Sequence, residues 1–228
     1  ITVDQFLSAG SDTKAISMAL EKAGKTSSVV IKFANRTYNI DPSELLSGNK
    51  NIILFGVRSN MTLTGGPDTK LELKNGWTSK MILNNFILFG AANSVDNFGM
   101  NSLSIDFNGT QNDLKTPSGH NKNAALYLLK CSHITVQNVK VLNNPGQQSL
   151  SIGSTDKNGN FLATDIKING CSFINNTDAF PGNKQNDHSS IYLVADKAIV
   201  TKNNFVSGDK ISKVATAIEA HTSNSVFS

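Results

Sequence analysis

The stretch AALYLLKCSHITVQNVKVLNN, residues 124–144, holds two short segments in which apolar and polar residues alternate, separated by a polar corner. Alternation with a period of two is typical of half-buried β-strands. Such a stretch is either a single pair of strands or one unit of a repeat, and the rest of the sequence decides between these two interpretations.

The second segment of this stretch recurs along the chain. The same order of apolar residues occurs in NFGMNSLSIDFNG (97–109), HITVQNVKVLNN (133–144), DIKINGCSFINN (165–176) and KAIVTKNNFVSG (197–208). Equivalent anchor residues are 36, 32 and 32 positions apart: Phe98, Ile134, Ile166 and Ala198. The first segment recurs as well, in ALYLL (125–129), SLSIG (149–153), SIYLV (190–194) and AIEAH (217–221). Repeats of about 20–50 residues indicate a solenoid, in which stacked units share one core.

Each unit reads as strand, corner, strand and loop, which predicts an all-β, right-handed parallel β-helix. A leucine-rich or ankyrin repeat would need a helix or a fixed leucine spacing in every unit, and neither is present. A sandwich or antiparallel barrel is the alternative, but it favours two-residue hairpins at close spacing. Coils of different length are then explained by loops at one corner.

One convincing helix lies before the strands, in SDTKAISMALEKAG (11–24). Ser11 is the predicted N-cap and Gly24 the predicted end. Apolar residues at helical spacing form one face: Ala15, Ile16, Ala19, Leu20 and Ala23. We expect this helix to cover the open edge of the first coil. The predicted organisation is therefore an N-terminal segment with a capping helix (1–28), followed by coils (29–228).

Both termini suggest that this chain is a processed or excised portion of a longer protein. It begins with Ile rather than Met, and NSVFS at its end matches the first half of the recurring segment. We therefore expect further coils in the native protein.

Composition argues against several classes of partner. The net charge is +4 over 228 residues, but the basic residues form no run that could follow a phosphate backbone, so no nucleic-acid partner is expected. No apolar run approaches 18 residues, so no membrane partner is expected. Cys131 and Cys171 have no metal-ligand spacing with the histidines and are predicted to be buried thiols. No metal and no cofactor is expected.

The pair DTKAISMAL and VVIKFANRTYNI resembles the N-terminal module of the pectate-lyase-like superfamily, in the branch common in bacteriophage tailspikes and extracellular polysaccharide-degrading enzymes. The later SHITVQNVKVLNN-type segments resemble the coils that follow that module. The resemblance implies a polysaccharide substrate, a location outside the cell or on a virion surface, and a homotrimer when the protein is full length. It specifies the fold far better than the substrate.

A β-helix stacks equivalent side chains in rows about 4.8 Å apart, so outward residues of successive coils form a continuous surface. With Leu126, Leu150, Ile191 and Ile218 pointing inward, two outward rows are predicted. The first row contains Tyr127, Ser151, Tyr192 and Glu219, and the second contains Leu129, Gly153, Val194 and His221. Gln148, Asp187 and His188 immediately precede these strands.

Two tyrosines in one outward row suit a sugar-binding groove, because pyranose rings pack on aromatic faces while the phenol bonds a hydroxyl. The alternative is that Tyr127 and Tyr192 pack under a neighbouring loop. Glu219 and His221 lie on one face of one strand, as an acid/base pair requires. The alternative is an exposed carboxylate beside an unrelated histidine.

Glycoside hydrolases need a second carboxylate, about 5 Å from the first in retaining enzymes or about 6.5–9.5 Å in inverting ones. Asp187 is the candidate, with Asp178 in reserve. His188, Ser151 and Gln148 are predicted to contact substrate together with the tyrosines and Asp178. A pectate-lyase mechanism would need an aspartate cluster for calcium and a basic residue, and these rows supply neither.

Three functions fit this sequence, and the first is favoured. It is a glycan-degrading enzyme, a hydrolase or lyase, most plausibly a phage tail appendage that acts on a bacterial surface polysaccharide. The second is a glycan receptor-binding module without catalysis. The third is a structural, adhesin-like β-helix.

Overall fold

The computed structural model describes residues 1–24, 27–45, 52–76, 86–109, 111–112, 123–144, 146–176, 189–206 and 216–228. These residues form eighteen strands, the α-helix α1 (Asp12–Ala23) and two 3₁₀ helices, Val3–Ala9 and Pro42–Glu44. Within the described ranges, every pairing between two of these strands is parallel. The chain therefore winds in one sense, with each coil stacked on the preceding one.

The coils contribute strands to three faces, and the described part of the first coil lacks a strand in face 1 while that of the last coil lacks one in face 3. Face 1 contains β3 (Ile52–Gly56), β6 (Phe86–Ala91), β9 (Ala124–Leu128), β12 (Gln148–Gly153), the first half of β15 (Ser189–Thr201) and β17 (Thr216–Ser223). Face 2 contains β1 (Val29–Lys32), β4 (Met61–Thr64), β7 (Val95–Asn101), β10 (Cys131–Gln137), β13 (Ala163–Asn169), the second half of β15 and β18 (Val226–Phe227). Face 3 contains β2 (Thr37–Ile40), β5 (Lys70–Leu73), β8 (Ser104–Asp106), β11 (Lys140–Leu142), β14 (Ser172–Ile174) and β16 (Asn204–Val206).

The register of face 2 follows the repeat found in the sequence. Ile134 pairs with Phe98 on one side and with Ile166 on the other, and Ile166 pairs with Ala198. The four predicted anchors thus form one continuous row. Faces 1 and 2 share a single twelve-stranded sheet because β15 continues from one to the other, and face 3 is a separate six-stranded sheet. The predicted all-β parallel β-helix is confirmed.

Single residues in the left-handed conformation bend the chain at the corners. His133 (φ 52°) does so in β10, Asn138 (φ 53°) after β10, and Asn143 (φ 53°) after β11. Among the described residues, seven of the twelve non-glycine residues with positive φ are asparagines. Asparagine tolerates this conformation better than most side chains. The abundance of Asn in this sequence therefore has a structural cause.

The predicted capping helix closes the first coil. All five residues of its predicted apolar face are buried against the core of the β-helix: Ala15, Ile16, Ala19, Leu20 and Ala23. Ser11 Oγ accepts a hydrogen bond from Lys14 N at 3.2 Å, as expected of an N-cap. Residues 1–2 run parallel to β1, where Lys32 N donates to Ile1 O at 2.8 Å. This pairing covers the edge that β1 would otherwise expose.

An ionic cluster fastens the cap to face 3. Arg36 Nη2 lies 3.1 Å from Asp4 Oδ1 and 2.8 Å from Asp12 Oδ1, and its guanidinium carbon lies 3.8 Å from the centre of the Tyr38 ring. The Tyr38 hydroxyl donates to Asp4 Oδ1 at 2.6 Å. The N-terminal segment and the first coil are therefore joined by polar as well as apolar contacts. The proposed boundary between residues 28 and 29 remains a prediction.

None of the helices within the described residues is both long and apolar enough to cross a membrane.

Candidate functional site

The first outward row of face 1 has the register that the sequence predicts. Tyr127 pairs with Ser151, and Ser151 pairs with Tyr192. Tyr192 in turn pairs with Glu219 of β17. The residue before each of the first three is fully buried, as alternation along a strand requires: Leu126, Leu150 and Ile191. Four candidate site residues from four coils therefore lie side by side, although their roles remain predictions.

The second row completes a groove along face 1. Gly153 pairs with Val194, and Val194 pairs with His221, as predicted. All members of the two rows except Glu219, with the residues after β12, enclose a volume of about 380 Å³, which we name the tyrosine groove. Its lining residues are Tyr127, Leu129, Ser151, Gly153, Ser154, Thr155, Tyr192, Val194 and His221.

The floor of the tyrosine groove is low because its middle coil carries small residues. Ser151 is 4% exposed and lies between the two tyrosines. Gly153 has φ +91°, and a Cβ atom there would lie 1.9 Å from Val194 O. No other residue fits this position without moving the backbone. The result is a depression between two aromatic walls.

The tyrosines share one polar environment. Both are half-buried, and burial together with the nearby Tyr192 raises the pKa of Tyr127. The hydroxyl of Tyr127 therefore stays protonated at neutral pH. Each tyrosine hydroxyl can donate one hydrogen bond and accept others from a ligand.

A short hairpin forms one wall of the tyrosine groove. Thr155 pairs with Phe161 in antiparallel fashion, and Leu162 N donates to Ser154 O at 2.8 Å. Asp156 holds the turn, because its Oδ1 accepts hydrogen bonds from Asn158 N at 2.8 Å and from Asn160 N at 2.9 Å. Thr155 is thus held beside the groove by a stable turn.

Glu219 and His221 lie at the end of the tyrosine groove. His221 Nε2 is 3.1 Å from Glu219 Oε1, and the imidazole ring centre is 5.9 Å from that of Tyr192. The side chain of Glu219 is 28% exposed and that of His221 is 59% exposed. The carboxylate is therefore sheltered but reachable. A hydrogen-bonded carboxylate and imidazole at the edge of a groove can exchange protons with a ligand or a water.

Gln148 is not among the residues that line the groove. It is 3% exposed and lies two positions before Leu150, so its side chain points to the interior. Its Oε1 has no hydrogen-bond partner among the described residues. The same alternation that places Tyr127 outward places Gln148 inward.

Three predicted site residues lie outside the described residues: Asp178, Asp187 and His188. The second carboxylate proposed from the sequence is among them. In the described ranges, no three His, Cys, Asp or Glu side chains are grouped closely enough to hold a metal ion.

A second depression, at the corner between faces 1 and 2, has no counterpart in the sequence-based prediction. Its upper part has a volume of about 520 Å³ and its lower part about 350 Å³. The two parts adjoin at Ser59, Ser94 and Val95, and we name them together the corner groove. Phe161, at the base of the hairpin, lines its lower part. No signal in the sequence marks this groove, because it depends on how the hairpin 155–161 stands between two faces.

Acidic and imidazole groups cluster beside the corner groove. Asp96 Oδ1 accepts from Ser132 Oγ at 2.7 Å and lies 2.7 Å from His133 Nδ1. His133 Nε2 is 3.7 Å from Asp165 Oδ2 of the next coil. The bond to His133, followed by that to Ser132, lowers the pKa of Asp96, and the bond to Asp96 raises the pKa of His133. This cluster joins three successive coils.

No protein-family model matches the chain, and no curated protein matches it.

Comparison with solved structures gives clear matches to one phage protein. The tailspike protein of Escherichia coli bacteriophage HK620, in complex with a pentasaccharide, matches with a TM-score of 0.73 and 14% identity over 94% of this chain. A variant of that tailspike in complex with a hexasaccharide matches with a TM-score of 0.67 and 13% identity over 93% of this chain. The chain has the fold of these tailspikes. It spans about a third of their length, since the match covers 35% of the tailspike chain in both cases.

Proposed function

We propose that this protein is a polysaccharide-binding β-helix module that holds a bacterial surface glycan in the tyrosine groove and cleaves it. The observation that carries the proposal is the pairing of Tyr127, Ser151, Tyr192 and Glu219 in one outward row. The HK620 tailspikes that share the fold were solved with bound oligosaccharides, which supports a glycan as the ligand.

The two tyrosines define the binding surface. They lie two coils apart, a distance of about 10 Å along the helix axis. A sugar ring above Ser151 and Gly153 would pack its C–H face on one tyrosine and bond its hydroxyls to the phenols and to Ser151. Thr155 and His221 add polar groups at two sides of the same depression. Few polar groups among larger apolar surfaces are typical of sites that bind small ligands.

Glu219 is the proposed catalytic carboxylate. The hydrogen bond between His221 Nε2 and Glu219 Oε1 holds the carboxylate in place beside the groove, where it can act as base or nucleophile. Asp187 is the proposed partner that protonates the glycosidic oxygen as its bond to the anomeric carbon breaks. Water then completes hydrolysis, leaving a new reducing end on one fragment and a hydroxyl on the other. His188 and Asp178 are also proposed to contact the glycan.

The test uses Glu219→Gln, which keeps the size of the side chain and removes its charge. We expect the variant to lose release of reducing ends from a purified polysaccharide by at least about a hundredfold, while its affinity for that polysaccharide is unchanged. Glu21→Gln, on the exposed side of the helix, is the matched control and should retain full turnover. Turnover by Glu219→Gln at the wild-type rate would reject this site.

A receptor-binding module without catalysis is the second candidate. It is favoured by one observation: none of the described residues that line the tyrosine groove is a carboxylate, and Glu219 lies beside the groove as the hydrogen-bond partner of His221. Binding to a polysaccharide without any release of reducing ends would establish this function instead. Intact folding with no glycan bound would leave the structural, adhesin-like role.

Location and assembly follow from the same proposal. A glycan-binding module of this fold belongs on a virion surface or outside the cell, as a member of the pectate-lyase-like superfamily. We propose that the full-length protein is a homotrimer, and light scattering would measure its mass directly. A monomer of the full-length protein would contradict this assembly.

A further inference from the structure

We propose that the corner groove is a second binding site for glycan, which takes a neutral sugar segment on the opposite side of the hairpin from the tyrosine groove. This proposal rests on the proposed function, because it assumes that the protein binds a polysaccharide. The surface and the residues that it assigns to glycan binding are separate from those of the tyrosine groove.

The corner groove has an aromatic platform. Phe161 is a large apolar side chain at the base of the hairpin, and it remains 36% exposed. It lines the lower part of the groove, whereas its antiparallel partner Thr155 lines the tyrosine groove. One hairpin therefore presents a residue to each groove. An exposed aromatic face beside polar groups is the arrangement on which sugar rings pack.

Hydroxyl groups surround this platform. Ser59, Ser94, Ser132 and Thr164 line the lower part of the groove together with Asp96. Ser132 is held in place by its bond to Asp96, and Ser59 Oγ accepts from Asp96 N at 2.9 Å. Fixed hydroxyls and a fixed carboxylate can bond sugar hydroxyls without paying much ordering entropy.

The upper part of the groove is shallow and is lined by small residues. Gly56, Gly90 and Ala92 lie along it, and Asn60 and Asn93 border it. A Cβ atom at Gly90 would lie 2.9 Å from Ile87 Cγ2 and 3.1 Å from Tyr127 O, so the sheet leaves no space for a larger residue. Because Gly56, Gly90 and Ala92 are small, this part of the groove is left uncovered beside the platform.

Charge balance indicates a neutral ligand. Asp96 and Lys130 offset one another in the lower part. The upper part contains Arg58, whose guanidinium donates to Ala23 O at 2.6 Å and to Ser59 O at 2.7 Å. Arg58 therefore binds a carbonyl at the C-terminal end of α1 and another at the adjoining corner. With two basic residues and one acidic residue, the described lining carries an excess of only one positive charge, which is too little to select a phosphate-rich or strongly acidic polymer.

The experiment measures binding of the whole 228-residue chain to an array of purified bacterial O-antigen and capsular polysaccharides, followed by titration with the polysaccharide that binds best. Phe161→Ala removes the platform, and Ala92→Trp fills the upper part from an exposed position. Each is expected to weaken binding about tenfold. Phe227→Ala is the control, because Phe227 is 43% exposed and does not line either groove.

The outcomes separate this proposal from the proposed function. Weaker binding by Phe161→Ala and Ala92→Trp, with no change in Phe227→Ala, supports a site in the corner groove. Wild-type affinity in both variants, together with loss of binding in Tyr192→Ala, overturns the corner groove and leaves the tyrosine groove standing. Loss in the corner variants with none in Tyr192→Ala supports the corner groove and rejects the tyrosine groove. A wild-type chain that binds no polysaccharide, or binds only acidic ones, overturns the corner groove as a neutral glycan site.

Discussion

Individual residues at fixed points of each coil determine where this chain bends and where its surface is hollow. Asn97, His133 and Asp165 occupy one stacked corner in the left-handed conformation, and Gly153 lowers the floor of the tyrosine groove. These positions differ in which residues they can accept. A corner open to water needs only a tolerated φ angle, whereas Gly153 also needs the absence of a side chain.

Gly153→Ala should destabilise the protein more than Gly159→Ala. Both glycines have positive φ, +91° and +85°, so both substitutions introduce backbone strain of about 1–3 kcal/mol. At Gly153 the new Cβ also meets Val194 O, whereas at Gly159 nothing lies within 4 Å. We expect an additional loss of about 1–3 kcal/mol for Gly153→Ala in urea unfolding. Equal losses would mean that the groove floor can relax.

His133 should make stability depend on pH. Its pKa is raised by Asp96, so its contribution is present below the unfolded value of about 6.5 and is lost as pH rises through the folded pKa. The pKa of Asp96 is lowered, so its contribution is present above about pH 3.9 and is lost at lower pH. Both contributions coexist between about pH 4 and pH 6.5.

The test compares the wild type with His133→Asn, because Asn occupies the equivalent position 97 with a similar φ. The free energy of unfolding should fall more on substitution at about pH 5.5 than at about pH 8.5. A loss that is the same at both values would show that the charge of the imidazole is unimportant. Asp165, 3.7 Å from His133 Nε2, acts in the same direction as Asp96.

Whole elements differ in how far the sequence predicts them. The helix, its cap and its apolar face follow from spacing alone, because each depends on residues within one or two turns. The strand register also follows, because a repeat fixes which residues stack. The sequence pattern starts the strand at Ser149, whereas β12 begins at Gln148 and the alternation points this side chain inward; the predicted contact of Gln148 with substrate remains a prediction. The corner groove could not be predicted, since it depends on how the hairpin 155–161 stands between two faces.

Ile16→Ala should loosen the capping helix from the first coil. Ile16 is fully buried, so deleting three carbons leaves a cavity and costs about 2–5 kcal/mol. Met18→Ala, on the opposite side of the same helix, is the control because Met18 is 44% exposed. It should change the free energy of unfolding by less than about 0.5 kcal/mol. Similar effects from both variants would mean that the helix does not act as a cap.

At the scale of the whole molecule, stability should differ between the first and last coils of the 228-residue chain. The first coil is covered by α1 and by the pairing of residues 1–2 with β1. At the other end, β17 pairs with β15 and, among the described strands, with no other. Ile218 is only partly buried there, whereas its neighbour Ile191 is fully buried. Each coil of a solenoid depends on its neighbours for much of its stability.

Hydrogen exchange on the 228-residue chain measures this difference directly. Amides of β17 should exchange at least about tenfold faster than those of β13, which pairs on both sides, because local opening of a terminal coil breaks fewer contacts. Amides of β1 should exchange at rates similar to those of β13, because α1 and residues 1–2 cover the first coil as a neighbouring coil would. If β17 exchanged slowly only at high protein concentration, a second copy of the chain would be paired with its free edge. Slow exchange at every concentration would contradict the prediction and show that β17 is stable without a neighbouring coil.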